Sequence, residues 1–149
     1  MVDDDDYEEL NRYKWYALWS SGTRTYYAVR FSSRYNGKRM KISMHRKIMN
    51  PPKDMEVDHV NHDTLDNRKG NLRICTRSQN RMNREKQSNN TSGLKGVSRY
   101  KASGKWQAQI QVNGKHIHLS FFDDKLDAAR AYNKAAKELF GEFALINNI

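Results

Sequence analysis

Twenty-five residues in the middle of the chain, EVDHVNHDTLDNRKGNLRICTRSQN from Glu56 to Asn80, constrain it more than any other feature. Asp58 and His59 are adjacent, Asn71 lies twelve residues after His59, and Asn80 lies nine further on. One carboxylate, one imidazole and two carboxamides at these spacings are what a minimal phosphodiester-hydrolysing site needs. Asp58 is a hard anionic oxygen ligand for a divalent cation, and Asn80 supplies a neutral oxygen ligand. His59 serves as a base toward a water. On a strand its side chain points away from that of Asp58, so the backbone must twist to bring both to one site. Asn71 holds the imidazole in one orientation, or caps a turn before the strand Leu-Arg-Ile.

The segment resembles the HNH nuclease family, specifically the phage and intron-encoded homing endonucleases whose last motif residue is Asn. The matching residues are VDHVNHDTLDNRKGNLR, the following RSQN, and the helical lead-in MHRKIMNPP from Met44 to Pro52. Leu72 and Ile74 fit as packing positions. The resemblance implies a ββα-metal fold, with His59 as general base, Asn71 orienting it, and Asp58 with Asn80 as metal ligands. The opening Met1-Val2-Asp3 falls inside a pattern that related proteins continue upstream, which would make the chain a shortened gene product.

Other polar residues of the segment have plainer readings. Asn61-His62-Asp63 and Asp66-Asn67 are turn formers whose side chains bond local backbone. His62 is expected to brace that loop or face solvent. A zinc site on His59, His62 and Cys75 lacks a standard ligand spacing. A single cysteine excludes an intramolecular disulfide, and Cys75 is expected to be a small core residue.

Charge narrows the partner. The net charge is +10, yet residues 1–10 carry four Asp and two Glu with no Lys or Arg. From Asn11 to Lys53 there are eleven Lys or Arg and no carboxylate, and from Lys86 to Phe122 six more, again without a carboxylate. A solvated surface mixes both signs, so long one-sign stretches interleaved with Trp and Tyr point to a polyanion, most simply nucleic acid. No apolar run approaches the roughly 20 residues that span a bilayer. With no signal-peptide pattern and one cysteine, the expected location is cytoplasmic, in a phage-encoded or bacterial host-cell setting.

Before the central segment, Lys14–Trp19 and Tyr26–Phe31 read as strands around a Ser-Ser-Gly turn, with their aromatics expected in the core. Asn36-Gly37 signals a type I′ hairpin, and Met40, Ile42 and Met44 alternate with polar residues on a third strand. Strands follow at Glu56–Val60 and Leu72–Cys75. A helix then starts near Thr76, with Thr76 and Gln79 as a capping box. Arg77, Arg81 and Arg84 recur at helical spacing as a basic face for phosphates. EKQSNNTSG, with no apolar member, reads as a linker.

Residues 94–149 read as three strands and a helix. Trp106, Ala108, Ile110 and Val112 form one face of the middle strand, and Gln107, Gln109 and Gln111 the other. Carboxamides both donate to and accept from base edges, so the Gln face suits groove reading. Asn113-Gly114 is a second type I′ turn. The helix runs from Asp123 or Asp124 to Phe140, with Asp127 completing a capping box, Gly141 at its C-terminus, and Leu126, Ala129, Tyr132, Ala136 and Leu139 as its apolar stripe.

This half, LKGVSRYKASGKWQAQIQVNGKHIHLSFF and DAARAYNKAAKELFGEFALIN, resembles the plant ethylene-response-factor DNA-binding domain. The resemblance implies a sheet lying in the major groove, with Lys95, Arg99, Lys101, Gln109, Gln111, Lys115 and His118 facing DNA. Ser98 stands where the family has Arg, Gln109 where it has Glu, and His118 where it has Trp, so site preference does not carry over.

The expected fold class is α+β. Small N-terminal antiparallel strands and a ββα-metal module occupy 1–85, with a linker at 86–93. A three-stranded antiparallel sheet packed on one α-helix occupies 94–149. The expected activity is site-directed hydrolysis of double-stranded DNA by a monomer using Mg²⁺ or Mn²⁺, with no membrane and no small-molecule substrate. The alternative is a non-catalytic DNA-binding transcriptional regulator.

Overall fold

The computed structural model describes residues 1–34, 36–86 and 89–149. The chain divides into two compact units, Met1–Arg77 and Ser78–Ile149. Both are mixed α+β, built on small antiparallel sheets.

The first unit opens with helix α1 (Asp4–Asn11), which composition alone did not announce. Its acidic first turn complements the helix dipole. Asp3 Oδ2 accepts from the Lys69 backbone N–H at 2.6 Å, and Asp6 and Glu9 pair with Lys69 and Lys47. Leu10 is the one buried residue of α1, and its carbonyl accepts from Trp15 Nε1.

Strands β1 (Tyr16–Ser20), β2 (Thr25–Phe31) and β3 (Lys41–Ser43) form one sheet in sequence order. Asn36 and Gly37 both take positive φ, as a type I′ turn requires. The aromatics expected in the core are mostly outside it. Tyr16, Trp19, Tyr26 and Phe31 are all exposed, and only Val29 of β2 is fully buried. A sheet this small has too little facing surface to cover both of its sides.

Helix α2 (Met44–Met49) follows at once and ends where Asn50 turns left-handed ahead of Pro51-Pro52. Strands β4 (Glu56–His59) and β5 (Leu72–Cys75) pair with Asp58 opposite Arg73 and His59 opposite Leu72. Of the two expected packing positions, Leu72 is buried but Ile74 is exposed, and Cys75 closes the core at 0% exposure. Burial pushes the Cys75 thiol up to about 11, as an inert core residue requires. Helix α3 (Arg77–Met82) carries Arg77 and Arg81, both exposed. It ends before Arg84, so Arg84 does not share its face. The Lys95 ammonium donates to the carbonyls of Met82 and Arg84, which fixes the chain as it leaves the helix.

In the second unit β6 (Val97–Arg99), β7 (Trp106–Val112) and β8 (Lys115–Phe122) form a sheet against α4 (Lys125–Phe140). Val97, Ala108, Ile110, Ala128, Ala129, Tyr132 and Ala136 make its interior. The Asp124 carboxylate caps α4 by accepting from the N–H groups of Leu126 and Asp127. Asp127 pairs instead with Arg130, so the capping box is half formed. Leu126 and Leu139, expected in the apolar stripe, are exposed. The sheet meets a narrower stripe of alanines, because small residues let the helix approach closely.

Gly96 marks that approach. Its φ is +72°, and a Cβ there would sit 2.0 Å from Tyr132 Cδ2 and 2.7 Å from the Gln109 carbonyl. Gln87 and Ser88 of the expected linker lie outside the described residues. Ser92 belongs to the fold, buried with its hydroxyl donating to the Leu94 and Val97 carbonyls. Asn147 ties the C-terminal segment back by bonding Lys95 and Asn133.

Candidate active site and nucleic-acid interface

The interior around β4 and β5 is polar. Asp58, His59, Asp66, Asn67 and Asn71 are all buried. Buried polar groups must be hydrogen-bonded, and here the loop between the strands supplies the partners. Asn71 Oδ1 accepts from the Asn61 N–H at 2.9 Å, and its Nδ2 donates to the Asp66 carbonyl at 2.8 Å. Asp66 accepts a two-pronged pair of 2.8 Å bonds from Arg68, which hold its carboxyl far below the usual carboxylate range. Asn61 and Asp63 bond the backbone two residues on, the Asx geometry expected of this stretch. His62 takes a left-handed backbone, and its N–H donates to the His59 carbonyl. That suits its expected bracing role.

Asn71 thus bonds the loop with its side chain, while its backbone reaches the residue after His59. Its carbonyl accepts from the Val60 N–H, next to His59, while its side chain spans the loop. Asn67 is a side chain that meets the imidazole. Its Oδ1 lies 3.5 Å from His59 Nε2, and Asn67 is 1% exposed. A carbonyl oxygen only accepts, so this contact selects the tautomer protonated on Nε2. Sequence reading passed over Asn67 because Asp-Asn pairs are ordinary turn formers. Burial lowers the His59 pKa, with Asn67 and the nearby carboxylates opposing it. A histidine so placed is neutral near pH 7, the state a general base needs.

Asp58 faces Arg73 across the ribbon, and Arg73 Nε and Nη2 donate to Asp58 Oδ2 at 2.9 and 2.7 Å. A buried carboxylate oriented by a second partner suits a hard divalent cation, whose ligands are themselves held by hydrogen bonds. Among the described residues no cluster of three or more His, Cys, Asp or Glu side chains forms a metal cage. Such a cation would therefore keep much of its water, as Mg²⁺ does. Asn80 sits on α3, which leaves β5 after a single residue.

The comparisons decide the family. The chain is 33% identical over 151 residues to an HNH endonuclease of Acanthamoeba polyphaga mimivirus, a match covering 97% of this chain and 72% of that one. The chain belongs to the HNH endonuclease family. A family model described as HNH endonuclease matches residues 50–82, the stretch from the end of α2 through α3. Protein 3.8 of Escherichia phage T7 is 31% identical over 111 residues, covering 74% of this chain and 91% of its own. The second unit has a different likeness. An AP2-like ethylene-responsive transcription factor of Arabidopsis thaliana is 40% identical over 57 residues, 38% of this chain and 12% of its own.

In this HNH endonuclease the second unit turns a polar face away from α4. Gln107, Gln109 and Gln111 lie on it, with Gln107 bonding His118 and Gln111 meeting His116. A β-bulge between Ala108 and Gln109 brings His118 and Phe121 to the same side, rings 4.5 Å apart, with Tyr100 stacked on Phe121 at 4.9 Å. Strict alternation would place His118 and Phe121, three apart, on opposite faces, so the bulge hid Phe121 from sequence reading. Lys101 and Lys115 are exposed at turns.

Two expected contacts lie elsewhere. Arg99 faces the helix side, its guanidinium 5.2 Å from the Trp106 ring. The Lys95 ammonium is engaged with carbonyls, and burial lowers its pKa to about 8.

Proposed function

We propose that this HNH endonuclease hydrolyses duplex DNA in a site-directed way, with His59 as general base and Asp58 and Asn80 as ligands of one divalent metal. The observation that carries the reading is the buried His59, met by Asn67 and next to an Asp58 that Arg73 orients. His59 takes a proton from a water whose oxygen attacks phosphorus in line. The new P–O bond forms as the bond to the 3′ oxygen breaks, and that oxygen takes a proton from solvent, leaving a 3′ hydroxyl and a 5′ phosphate. Mg²⁺, or Mn²⁺ in its place, would neutralise the charge developing on the phosphoryl oxygens.

Asn80 enters as a ligand on its spacing after Asn71, and Arg77, Arg81 and Arg84 as phosphate contacts on their charge. The second unit acts as an ethylene-response-factor-like DNA-binding domain. Gln109, Gln111 and His118 read base edges, while Lys101 and Lys115 meet phosphates. Tethering two DNA-binding units raises their joint affinity by effective concentration. Site-directed cutting of this kind fits a homing endonuclease.

The test is to incubate the protein with supercoiled plasmid and with phage and bacterial genomic DNA, in Mg²⁺, in Mn²⁺ and in EDTA. Nicked or linear product that disappears in EDTA is expected. Duplex binding without cleavage under every condition would support the second reading, a DNA-binding regulator, which the likeness to plant transcription factors favours.

A further inference from the structure

The outward face of the second unit's sheet carries more than carboxamides. Phe121 of β8 lies opposite Gln107 of β7, on the face turned away from α4. Phe122, the next residue, packs instead against the interior cluster that contains Ala108 and Ala128. Tyr100 follows Arg99, which lies on the helix side, so alternation from β6 brings the tyrosine to the outer face. There the rings of Tyr100 and His118 both meet Phe121, with centroids 4.9 and 4.5 Å from it. Phe121 is 41% exposed and Tyr100 43%. Neither belongs to the clusters that form the unit's core, so the fold does not require two large rings at the surface.

We propose that Phe121 and Tyr100 form a specificity element, an apolar contact for the 5-methyl group of thymine in the major groove of duplex DNA. The proposal rests on the reading of the second unit as a duplex-DNA binder. In that groove the thymine methyl is the apolar mark a base edge carries. Phe121 offers carbon alone, and Gln107 beside it bonds His118. The corner therefore suits a methyl better than a donor or an acceptor.

The charge around the corner suits nucleic acid. Lys101, next to Tyr100, is exposed, and no carboxylate falls between Lys86 and Phe122. Asp123, just beyond, is paired with Lys105. The competing occupant is an unpaired base. Phe121 already has two ring neighbours, so a base stacked flat on it would compete with them. A methyl meets the exposed rim of the cluster and displaces neither ring.

The test selects duplexes from a random-sequence library with the full chain in EDTA. A selected duplex is then remade with deoxyuridine in place of thymidine, one position at a time. This exchange deletes a methyl and keeps every hydrogen-bonding group. The selected pool is expected to favour thymine at one or more positions. There the exchange should weaken binding by the parent about fourfold, the worth of one buried methyl-sized group. Phe121→Ala should bind the thymine duplex as weakly as the parent binds the uracil duplex, and the exchange should leave it unchanged. Tyr100→Ala, on another strand, should lose the same response, so a folding defect in one variant leaves the other to decide.

A pool without thymine preference overturns the proposal. So does a parent indifferent to every exchange, or a Phe121→Ala variant as sensitive as the parent. Tighter binding of single-stranded oligo-dT than of duplex, lost in Phe121→Ala, also overturns it and makes the cluster a stacking platform. Failure of the parent to bind any duplex overturns the reading of the second unit itself. Duplex binding with silent exchanges overturns the methyl contact alone.

Discussion

His59 and His45 are neighbouring imidazoles, their ring centroids 5.1 Å apart, and both can be tested singly. Replacing His59 by Ala should lower cleavage by roughly 10²–10⁴-fold, the usual worth of a general base. Duplex binding in a band-shift assay should persist, and full activity in this variant would remove His59 from the mechanism. His45 leaves its mark on stability. Burial first, then the charges of His59, Arg46 and Lys41, push its pKa from 6.5 down to about 4. As pH falls from about 6.5 to about 4, the unfolded chain takes up a proton there and the folded chain does not. The unfolded state binds more protons in that window, so stability falls with pH. The loss approaches about 3 kcal/mol, at about 1.4 kcal/mol for each pH unit between the two pKa values. His45→Phe should flatten this part of the Tm profile, with His59 retaining a share of the slope. A profile as steep as the parent's would contradict a buried neutral His45.

Among the elements, the junction of β6 with α4 is the most constrained. Gly96 needs both a left-handed backbone and the space that Tyr132 fills. Gly96→Ala should destabilise the second unit by about 2–5 kcal/mol, from backbone strain plus overpacking. Gly93 is a built-in control, since its φ is +77° but nothing lies within 4 Å of a Cβ there. Gly93→Ala should cost only the backbone part, about 1–2 kcal/mol. Equal losses in chemical denaturation would show that the ring of Tyr132 yields without penalty. The strong local signals were legible at this scale. The Asn-Gly turn at 113–114 joins β7 to β8 with both residues at positive φ, and Asp124 caps α4. α1 was not legible, because one buried leucine and a run of acids form no periodic pattern. Its place comes from long-range partners, Lys69 and Lys47.

At the scale of the whole molecule the distribution of charge governs how DNA is held. A net charge of +10, concentrated in acid-free stretches, predicts binding that weakens steeply with salt. Lys115→Ala should weaken binding to all duplexes alike and reduce the salt slope by about one phosphate contact. Gln109→Ala should instead narrow the gap between preferred and random DNA by about 1–3 kcal/mol. Titrations of both variants at two salt concentrations check this. Equal losses on every sequence would make the Gln face a backbone-tracking surface. Among the described residues no helix is long and apolar enough to cross a membrane.

The sequence by itself singled out the candidate chemistry-bearing residues and determined most of the elements. Asp58, His59 and Asn71 stand out because their spacing spans one strand, one loop and the next strand. Strands with alternating patterns and capped helices declare themselves through neighbours a few residues away. Only the tertiary structure decided which side chain serves which. It put Asn67 rather than the Asn71 carboxamide against the imidazole, Arg73 on Asp58, His45 on the face of His59, and Lys95 on two carbonyls. Each is a pairing between residues distant in sequence or hidden in a turn. Local propensity carries no record of such pairings, because the energy that selects them arises only when water leaves and the buried polar groups must find partners.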